Sequence, residues 1–329
     1  MKNLLSLFLI SFSWPLCGYE VTVRVVDDAG VAVAGSDVGV VFGSYGSEDI
    51  NKGKSDKDGL YRATGRGNHS VMINVVKSGY YPAQLEGLSR DKDHDVEVVL
   101  PRILNPVSMY ALRNVSLKFP VQSEWLGFDF EAADWVGPYG KGKTIDILFR
   151  FRSEFKGLVD RIRSQEDMEK AVKFSKEMYQ AARMEWTMDK FRVDYGKWDA
   201  VMEVSFSVKE EGIYETSQFL KYSQLKMPHS APTEGYVPTW RYEGRSYKAK
   251  AYREDVGYFL RTRVRLDRDG NIASANYAKI MGDFLVATKG GQVAFTYYFN
   301  PLPNDRNLEF DPKKNLFPKD KPGANVYDP

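Results

Sequence analysis

The chain has 329 residues, a length that suits two domains. Its 46 basic and 44 acidic side chains nearly cancel and no basic stripe stands out, so a nucleic-acid partner is not expected. Tyrosine, phenylalanine and tryptophan together make up 14% of the residues, a share that favours half-buried strands and an all-β class.

Residues 1–18 have the composition of an export signal. Lys2 supplies the positive start, an apolar run follows over Leu4–Trp14, and small residues near Gly18 suit a cleavage site. The apolar run is too short to span a bilayer. We therefore expect cleavage after Gly18 and a mature chain that is periplasmic, secreted or displayed on the cell surface, without a transmembrane segment.

Cys17 is the only cysteine of the sequence. It allows a second interpretation, in which the mature protein is a lipoprotein anchored through this side chain. The bulky run Trp14-Pro15-Leu16 before it is a poor approach to a lipidated cysteine, so the form without an anchor is favoured. After either kind of processing no disulfide can form within the chain, and stability must come from the core.

Residues 19–103 are predicted to form a small β-sandwich of short strands separated by turns. Val21–Val25 alternates between valine and polar residues, which is the two-residue period of a half-buried strand. Tight turns rich in aspartate and glycine follow at 27–30 and 55–59. Further strand patterns lie at Val38–Phe42, Leu60–Ala63, Ser70–Lys77 and Val96–Leu100.

Four motifs follow one another in this domain: the D-x-x-G turn Asp27–Gly30, then Val33–Val38, the S-D-x-D-G-L-Y run Ser55–Tyr61, and Val75–Tyr80. In this order they resemble the carboxypeptidase regulatory-like domain, a prealbumin-like and Ig-like β-sandwich. The resemblance covers residues 19–102 and implies a non-catalytic module attached to secreted or surface proteins. The sequence departs from the family where Val33 or Ala34 replaces the usual proline before Gly35, and where Tyr45–Gly53 is longer and more polar.

Residues 104–317 are predicted to form a larger, antiparallel β-sandwich-like domain after a boundary at Pro101–Pro106. Its centre is a hairpin over Gly127–Arg152, in which two alternating segments flank a glycine-rich loop. Further strands are predicted at Val115–Phe119, Asp199–Val208, Tyr258–Leu266, Ile272–Met281 and Gln292–Asn300.

A capping serine followed by acidic residues predicts one helix near 165–185, packed on the sheet or against one end of it. The last segment, 318–329, is polar and proline-rich and is predicted to be disordered. The second domain as a whole is similar to exported bacterial proteins that carry the same sandwich in front. This resemblance implies a shared architecture but no chemistry.

Acidic residues of the hairpin are weak candidates for catalysis. On one strand, Asp129 and Glu131 would leave the same face about 7 Å apart, and Asp134 and Asp146 could join them. A carboxylate pair at such a separation can serve glycoside hydrolysis. The ordinary alternative, which is favoured, is that these residues form the solvated face of a half-buried strand.

No metal or cofactor is expected. The loop Gly137–Lys143 lacks the spacing and the following helix of a nucleotide-binding loop. The turns Asp56–Gly59 and Asp267–Asn271 resemble the start of a calcium loop but have no glutamate at the twelfth position. The sequence contains no G-x-S-x-G motif, and no metal-ligand spacing relates the three histidines His69, His94 and His229.

Five aromatic residues in or beside loops are the candidate binding residues. On a rigid sandwich such side chains can stack on sugar rings or anchor a protein, or they can close the ends of the core. The sequence thus favours an exported, non-enzymatic binding or scaffolding protein of the cell envelope, with a glycan or a protein as partner. The alternatives are a hydrolase of an extracellular polysaccharide and an assembly subunit that pairs through a sheet edge. The five residues are Trp125, Trp135, Tyr139, Tyr236 and Trp240.

Overall fold

A computed structural model describes residues 18–43, 49–65, 70–89, 92–248, 253 and 255–329. Apart from Gly18, the predicted export signal lies outside the described residues, and so does His69. The chain divides into two compact units. The first comprises the residues up to Ile103 together with Tyr222–Gln224, and the second comprises Leu104–Lys221 and Leu225–Pro329.

The first unit is a β-sandwich with seven strands in its described residues. They are β1 (Tyr19–Val26), β2 (Asp37–Phe42), β3 (Asp49–Lys54), β4 (Leu60–Gly65), β5 (Val71–Val76), β6 (Ala83–Leu88) and β7 (His94–Val99). One sheet has the order β4-β1-β7 and the other β3-β2-β5-β6. Alternate apolar residues of β1 and β5 are fully buried between the sheets, as the two-residue period predicts.

The second unit holds eleven strands and two helices in its described residues. One sheet has the order β10-β9-β11-β12-β14 and the other β13-β15-β16-β17-β8-β18, which confirms the all-β class. The elements are β8 (Val107–Lys118), β9 (Leu126–Asp129), β10 (Asp134–Trp135), β11 (Ile147–Leu158), α1 (Gln165–Ala181), α2 (Met188–Tyr195), β12 (Gly196–Ser205), β13 (Gly212–Thr216), β14 (Thr239–Arg245), β15 (Gly257–Leu266), β16 (Ile272–Ala287), β17 (Gln292–Asn300) and β18 (Phe310–Asn315).

The two sheets of the second unit enclose a core rich in aromatic rings. Phe128 and Phe149 from the five-stranded sheet meet Phe295 from β17, with ring centroids 5.7 and 5.8 Å apart. Burying a phenylalanine side chain stabilises the fold by about 1.5–3 kcal/mol, and such ring pairs add to this. The predicted hairpin lies at this core, because Phe128 of β9 pairs with Ile147 of β11.

The six-stranded sheet is also covered on its other face. There, Phe259, Tyr298 and Phe310 pack with Leu308 and Met227 in a separate apolar cluster. The covering layer consists of loops that bond to one another through the backbone, for example from the Leu308 N–H to the carbonyl oxygen of His229 at 2.6 Å. Because it is buried on both faces, β17 is apolar along most of its length instead of alternating.

Helix α1 starts at a capping box, in which Ser164 and Asp167 each accept a hydrogen bond from the backbone N–H of the other. The side of α1 that the sequence predicts to be apolar is its most buried side: Ser175 is buried and Tyr179 is half-buried, whereas Phe174, on another side, is 56% exposed. This side contacts the segment that follows the helix, since the Ser175 hydroxyl accepts from Nε1 of Trp186 at 3.0 Å and the Tyr179 hydroxyl donates to Asp194 at 3.1 Å. Helix α2, which buries Phe191, was not predicted. No helix in the described ranges is long and apolar enough to cross a membrane.

The final segment, 318–329, is packed, so the predicted disorder is wrong for this stretch. Ala324 and Val326 are buried, and the carbonyl oxygen of Gly323 accepts a 2.8 Å hydrogen bond from the Arg113 N–H. Although the segment is polar and proline-rich, its two buried apolar side chains and its backbone hydrogen bonds hold it against the rest of the second unit.

Candidate functional site

The candidate catalytic residues gather around one arginine where the hairpin meets β15. Nε of Arg263 donates to Oδ1 of Asp146 at 2.6 Å, and its Nη2 donates to Oδ2 at 3.0 Å. The same guanidinium pairs with Glu131 and lies 3.7 Å from Oδ1 of Asp129. One cation therefore serves three carboxylates, and these four residues are called the carboxylate cluster below.

Arg263 reaches the cluster through a β-bulge. Simple alternation along β15 predicts that Arg263 faces the same way as Phe259 and Arg265. In the structure Arg263 has φ 53°, and the pairing of β15 with β16 shifts register between Thr262 and Arg265. As a result the neighbouring side chains Thr262 and Arg263 both contact Asp146. The predicted orientation is wrong at this position because a bulge breaks the two-residue period.

The carboxylate of Asp129 accepts hydrogen bonds from backbone N–H groups at both ends of the hairpin loop. Its Oδ2 accepts from the N–H groups of Lys143 and Thr144 at 2.9 and 3.0 Å, and its Oδ1 accepts from Glu131 and Ala132 at 2.9 and 3.2 Å. Burial alone would raise the pKa of Asp129, but these hydrogen bonds outweigh it and hold the pKa below its ordinary value. The carboxylate is therefore an anion engaged by backbone donors.

The other acidic candidates have comparable roles in holding the loop. Asp146 has a fully buried side chain that accepts from the Phe130 N–H at 2.8 Å, and burial raises its pKa against the opposing effect of Arg263. Asp134 accepts from the Lys141 N–H at 2.9 Å. Such contacts suit a group that organises backbone, rather than one that exchanges protons with a substrate.

The predicted placement of Asp129 and Glu131 on one strand face is wrong. Strand β9 ends at Asp129, and the chain turns immediately so that Ala133 has φ 52° and its N–H bonds to the carbonyl oxygen of Asp129 at 2.8 Å. Glu131 lies in this turn, where its backbone N–H donates to Asp129, and its carboxylate meets that of Asp129 through their shared contact with Arg263. A turn, not a pleated strand, brings the two carboxylates together.

Three of the five candidate binding aromatics are packed inside the second unit. Trp135 is 5% exposed, and its Nε1 donates to the carbonyl oxygen of Lys118 at 3.0 Å. Trp240 is half-buried and packs on Phe284 with ring centroids 4.9 Å apart. Tyr236 is half-buried and donates to a backbone carbonyl oxygen at 3.0 Å. These rings support the fold.

The remaining two candidates are exposed at the outer side of the hairpin. Trp125 and Tyr139 are each 40% exposed. The hydroxyl of Tyr139 donates to the carboxylate of Glu124 at 3.2 Å, and Glu124 directly precedes Trp125 in the chain. Ile145, also exposed, occupies the space above Gly127, where an added Cβ would lie 2.7 Å from it. These residues, with Glu124, are called the aromatic face.

Charged side chains border the aromatic face across the five-stranded sheet. The guanidinium carbon of Arg150 lies 4.5 Å from the ring centroid of Trp125. Nε of Arg150 donates to Glu203 at 2.9 Å, and Glu203 in turn accepts from Arg241 at 2.9 Å. Sequence reasoning missed Arg150 and Ile145. The signal for Arg150 was its outward register on β11, whose alternate residues enter the core. Ile145 gave no such signal, because the two-residue period predicts that it faces the core with Ile147, whereas it precedes β11 and is exposed.

The two turns that resemble the start of a calcium loop use their aspartate side chains in local hydrogen bonds. Asp56 accepts from the N–H of Asp58 and of Leu60 at 2.9 and 2.8 Å, and Asp267 accepts from Asp269 and Asn271 in the same way, at 2.9 and 2.8 Å. These carboxylates cap their own turns. Within the described parts of the chain, no group of three or more histidine, cysteine, aspartate or glutamate side chains is arranged to hold a metal ion.

No family model matches the sequence, and no curated protein matches it. Solved structures similar to it include 3-chlorocatechol 1,2-dioxygenase from Rhodococcus opacus 1CP, at 10% identity and TM-score 0.23 over 26% of this chain and 60% of that one. The C-terminal domain of the shaft pilin SpaA from Lactobacillus rhamnosus GG is 12% identical, with TM-score 0.20 over 26% of this chain and 99% of that one. A DUF3823 family protein from Parabacteroides merdae ATCC 43184 is 6% identical, with TM-score 0.21 over 84% and 95%. Similarities of this size carry no argument about function.

Proposed function

We propose that this protein is an exported, non-enzymatic binding protein of the cell envelope that holds a glycan on the aromatic face of its second unit. The observation that carries the proposal is a contrast within one hairpin. The acidic side chains that a hydrolase would use are engaged by Arg263 and by backbone N–H groups. Trp125 and Tyr139, a few residues away, keep large exposed ring surfaces.

A glycan suits this face better than a protein does. The centres of protein interfaces are depleted of charged residues, whereas here Arg150 lies over Trp125 and Glu124 binds Tyr139. A sugar ring presents an apolar side to an aromatic ring and hydroxyl groups to charged neighbours, and Glu203 and Arg241 extend those neighbours along the sheet. The mixture of rings and charges therefore favours a carbohydrate chain lying across the five-stranded sheet.

The first unit supports a location outside the cytoplasm. Its motif order resembles the carboxypeptidase regulatory-like domain, which implies a non-catalytic module of secreted or surface proteins. The export signal at 1–18 agrees with this, and cleavage after Gly18 without a lipid on Cys17 is the form that we propose. In this proposal the first unit spaces or presents the second, which carries the binding face.

Co-sedimentation with insoluble envelope polysaccharides, including isolated peptidoglycan, tests the proposal. The double variant Trp125→Ala/Tyr139→Ala should lose binding, because both exposed rings are removed while the core is unchanged. Phe174→Ala is the matched control, since Phe174 is an aromatic residue of the same unit that is still more exposed than Trp125 and Tyr139 and lies outside the aromatic face. Retention of binding by the double variant, or capture of a protein partner alone, would overturn the assignment of a glycan to this face.

A further inference from the structure

A cavity of about 400 Å³ lies on the outer side of the five-stranded sheet, a size within the range of small-molecule sites. Its lining includes two cross-strand pairs of β12 and β14, which are Asp199 with Arg245 and Val201 with Glu243. Ala200, between the two β12 residues, is buried in the core. Because side chains alternate along a strand, its two neighbours face the opposite, solvent side of the sheet. The cavity is therefore open to a ligand from outside.

The register of the sheet places this cavity next to Trp125 along the strands. The guanidinium of Arg150, which lies over the Trp125 ring, belongs to the cross-strand row of Glu203. Along β12, Val201 is two residues from Glu203 and Asp199 is four residues from it. At about 3.3 Å per residue, the cavity therefore begins about 7 Å from the row of Arg150 and reaches about 13 Å from it.

Tyr247 is an exposed aromatic side chain at the far end of the cavity. It is 42% exposed, which is close to the exposure of Trp125 and Tyr139. Its hydroxyl donates to Oδ1 of Asp199 at 2.8 Å, and Asp199 lines the cavity. This hydrogen bond holds the hydroxyl end of the side chain at the border of the cavity, while much of its surface stays open to solvent. The outer side of the sheet thus has exposed rings at two places, with the row of Val201 between them.

The polar lining of the cavity suits the hydroxyl groups of a sugar. Asp199 and Glu243 contribute two carboxylates, and Arg245 and Lys248 contribute two cations, so the formal charges balance. Nε of Arg245 lies 3.9 Å from Oδ1 of Asp199, a distance too long for a hydrogen bond. A carboxylate accepts and a guanidinium donates several hydrogen bonds, so this pair keeps capacity for a ligand that does both. A neutral ring with several hydroxyl groups fits such a lining better than an anion does, because an anion would also meet the carboxylates.

We infer that the cavity and Tyr247 form a second sugar subsite, so that the protein binds a chain of neutral sugars along the sheet and not a single terminal sugar. The inference rests on the proposed function, because Trp125 and Tyr139 hold the first part of the chain. A later sugar of the chain lies in the cavity, where its ring packs on Tyr247 and its hydroxyl groups bond to Asp199 and Arg245. Affinity then rises with chain length, because the second contact becomes intramolecular once the first is made.

Ligand-detected NMR and calorimetric titration with soluble oligosaccharides of two lengths test the inference. The probes are chitohexaose and cellohexaose, each compared with its disaccharide, chitobiose or cellobiose. We expect at least one hexasaccharide to bind the wild-type protein about tenfold more tightly than its disaccharide. Tyr247→Ala should remove this gain and leave the affinity for the disaccharide unchanged, because the rings of the aromatic face hold the disaccharide. Trp125→Ala should weaken the binding of both lengths.

Tyr327→Ala is the matched control and should keep the gain, because Tyr327 is an exposed tyrosine of the same unit that lies beside residues of the six-stranded sheet. Arg245→Gln provides a second variant that does not depend on an aromatic ring. It should weaken binding of the hexasaccharide, whereas Arg265→Gln, which changes an exposed arginine of the other sheet, should not.

Three outcomes of the titrations would each overturn the inference: equal affinity for hexasaccharide and disaccharide, unchanged hexasaccharide affinity in Tyr247→Ala, or failure of both hexasaccharides to bind. Failure of the second subsite is distinguishable from failure of the proposed function. Co-sedimentation with a polysaccharide that Trp125→Ala/Tyr139→Ala abolishes, but Tyr247→Ala leaves unchanged, would support the proposed function and overturn the second subsite. Co-sedimentation that none of these changes affects would overturn both.

Discussion

Replacement of Arg263 by methionine tests whether the carboxylate cluster is a structural element. Methionine keeps an unbranched side chain but removes the charge, so the fully buried Asp146 loses its cation and Glu131 loses its partner. Removing one partner of a buried ion pair costs about 3–5 kcal/mol, because the remaining charge stays buried without compensation. We expect the free energy of unfolding of the second unit to fall by about 3 kcal/mol or more, a large share of the stability of an ordinary domain.

Urea unfolding followed by tryptophan fluorescence measures this change, because every tryptophan of the described residues lies in the second unit. Arg265→Met is the matched control: it removes an exposed arginine from the same strand and should change stability by less than about 0.5 kcal/mol. Adding Asp146→Asn to Arg263→Met removes the uncompensated charge and should recover part of the loss.

The pH dependence of the same variant gives an independent check. Burial raises the pKa of Asp146 although Arg263 opposes it, so the folded state binds this proton more readily than the unfolded state. The stability that this group contributes is present at low pH and is lost as the pH rises through the folded pKa. Without Arg263 the pKa rises further, so the deficit of Arg263→Met should shrink as the pH falls. A deficit under about 1 kcal/mol at neutral pH, or one that does not vary with pH, would refute the reasoning.

Three further predictions concern stability, each measured by urea unfolding. Tyr297→Phe removes a 2.6 Å hydrogen bond and should lower the free energy of unfolding by about 1 kcal/mol. Tyr298→Phe should leave it unchanged, because no hydrogen-bond partner of the Tyr298 hydroxyl is found among the described residues. Equal losses would show that the Tyr298 hydroxyl has a partner. Gly140→Ala places a Cβ against a backbone carbonyl oxygen and should lower the free energy of unfolding by about 1–3 kcal/mol. Gly290→Ala, with open space around it, should be nearly neutral. Equal effects of the two variants would contradict the loop geometry. Burial lowers the pKa of Lys279 from 10.5 to about 7, so the unfolded state binds more protons than the folded state between these two values. The free energy of unfolding should therefore rise with pH across that window, and Lys279→Met should remove this rise. An unchanged pH profile in Lys279→Met would contradict the assignment.

The two-residue alternation predicted most of the sheet structure, because one buried face imposes that period on every strand. It placed the paired strands of the hairpin and the valines of β1 correctly. It failed at Arg263, where one extra residue in a bulge turns the side chain toward the opposite face. A bulge leaves no mark in a single sequence when the residue with positive φ is an arginine instead of glycine or asparagine.

The candidate site could be predicted only in part for a related reason. Composition identifies the aromatic residues near loops, but their burial depends on which neighbouring strands cover them. Trp135 belongs to a two-residue strand that turns it into the core, whereas Trp125 precedes the paired part of β9 and stays at the surface. The contacts that engage Asp129 come from backbone N–H groups on both sides of the loop, and their convergence is a property of the folded hairpin.

The release of reducing ends from an insoluble polysaccharide that the protein binds is the most direct test of a binding rather than a cleaving role. The wild-type protein should sediment with the polysaccharide and release no reducing ends over time, and Glu131→Gln should behave identically. Steady release by the wild-type protein that Glu131→Gln abolishes, at unchanged stability and unchanged binding, would contradict the structural role assigned to the carboxylate cluster.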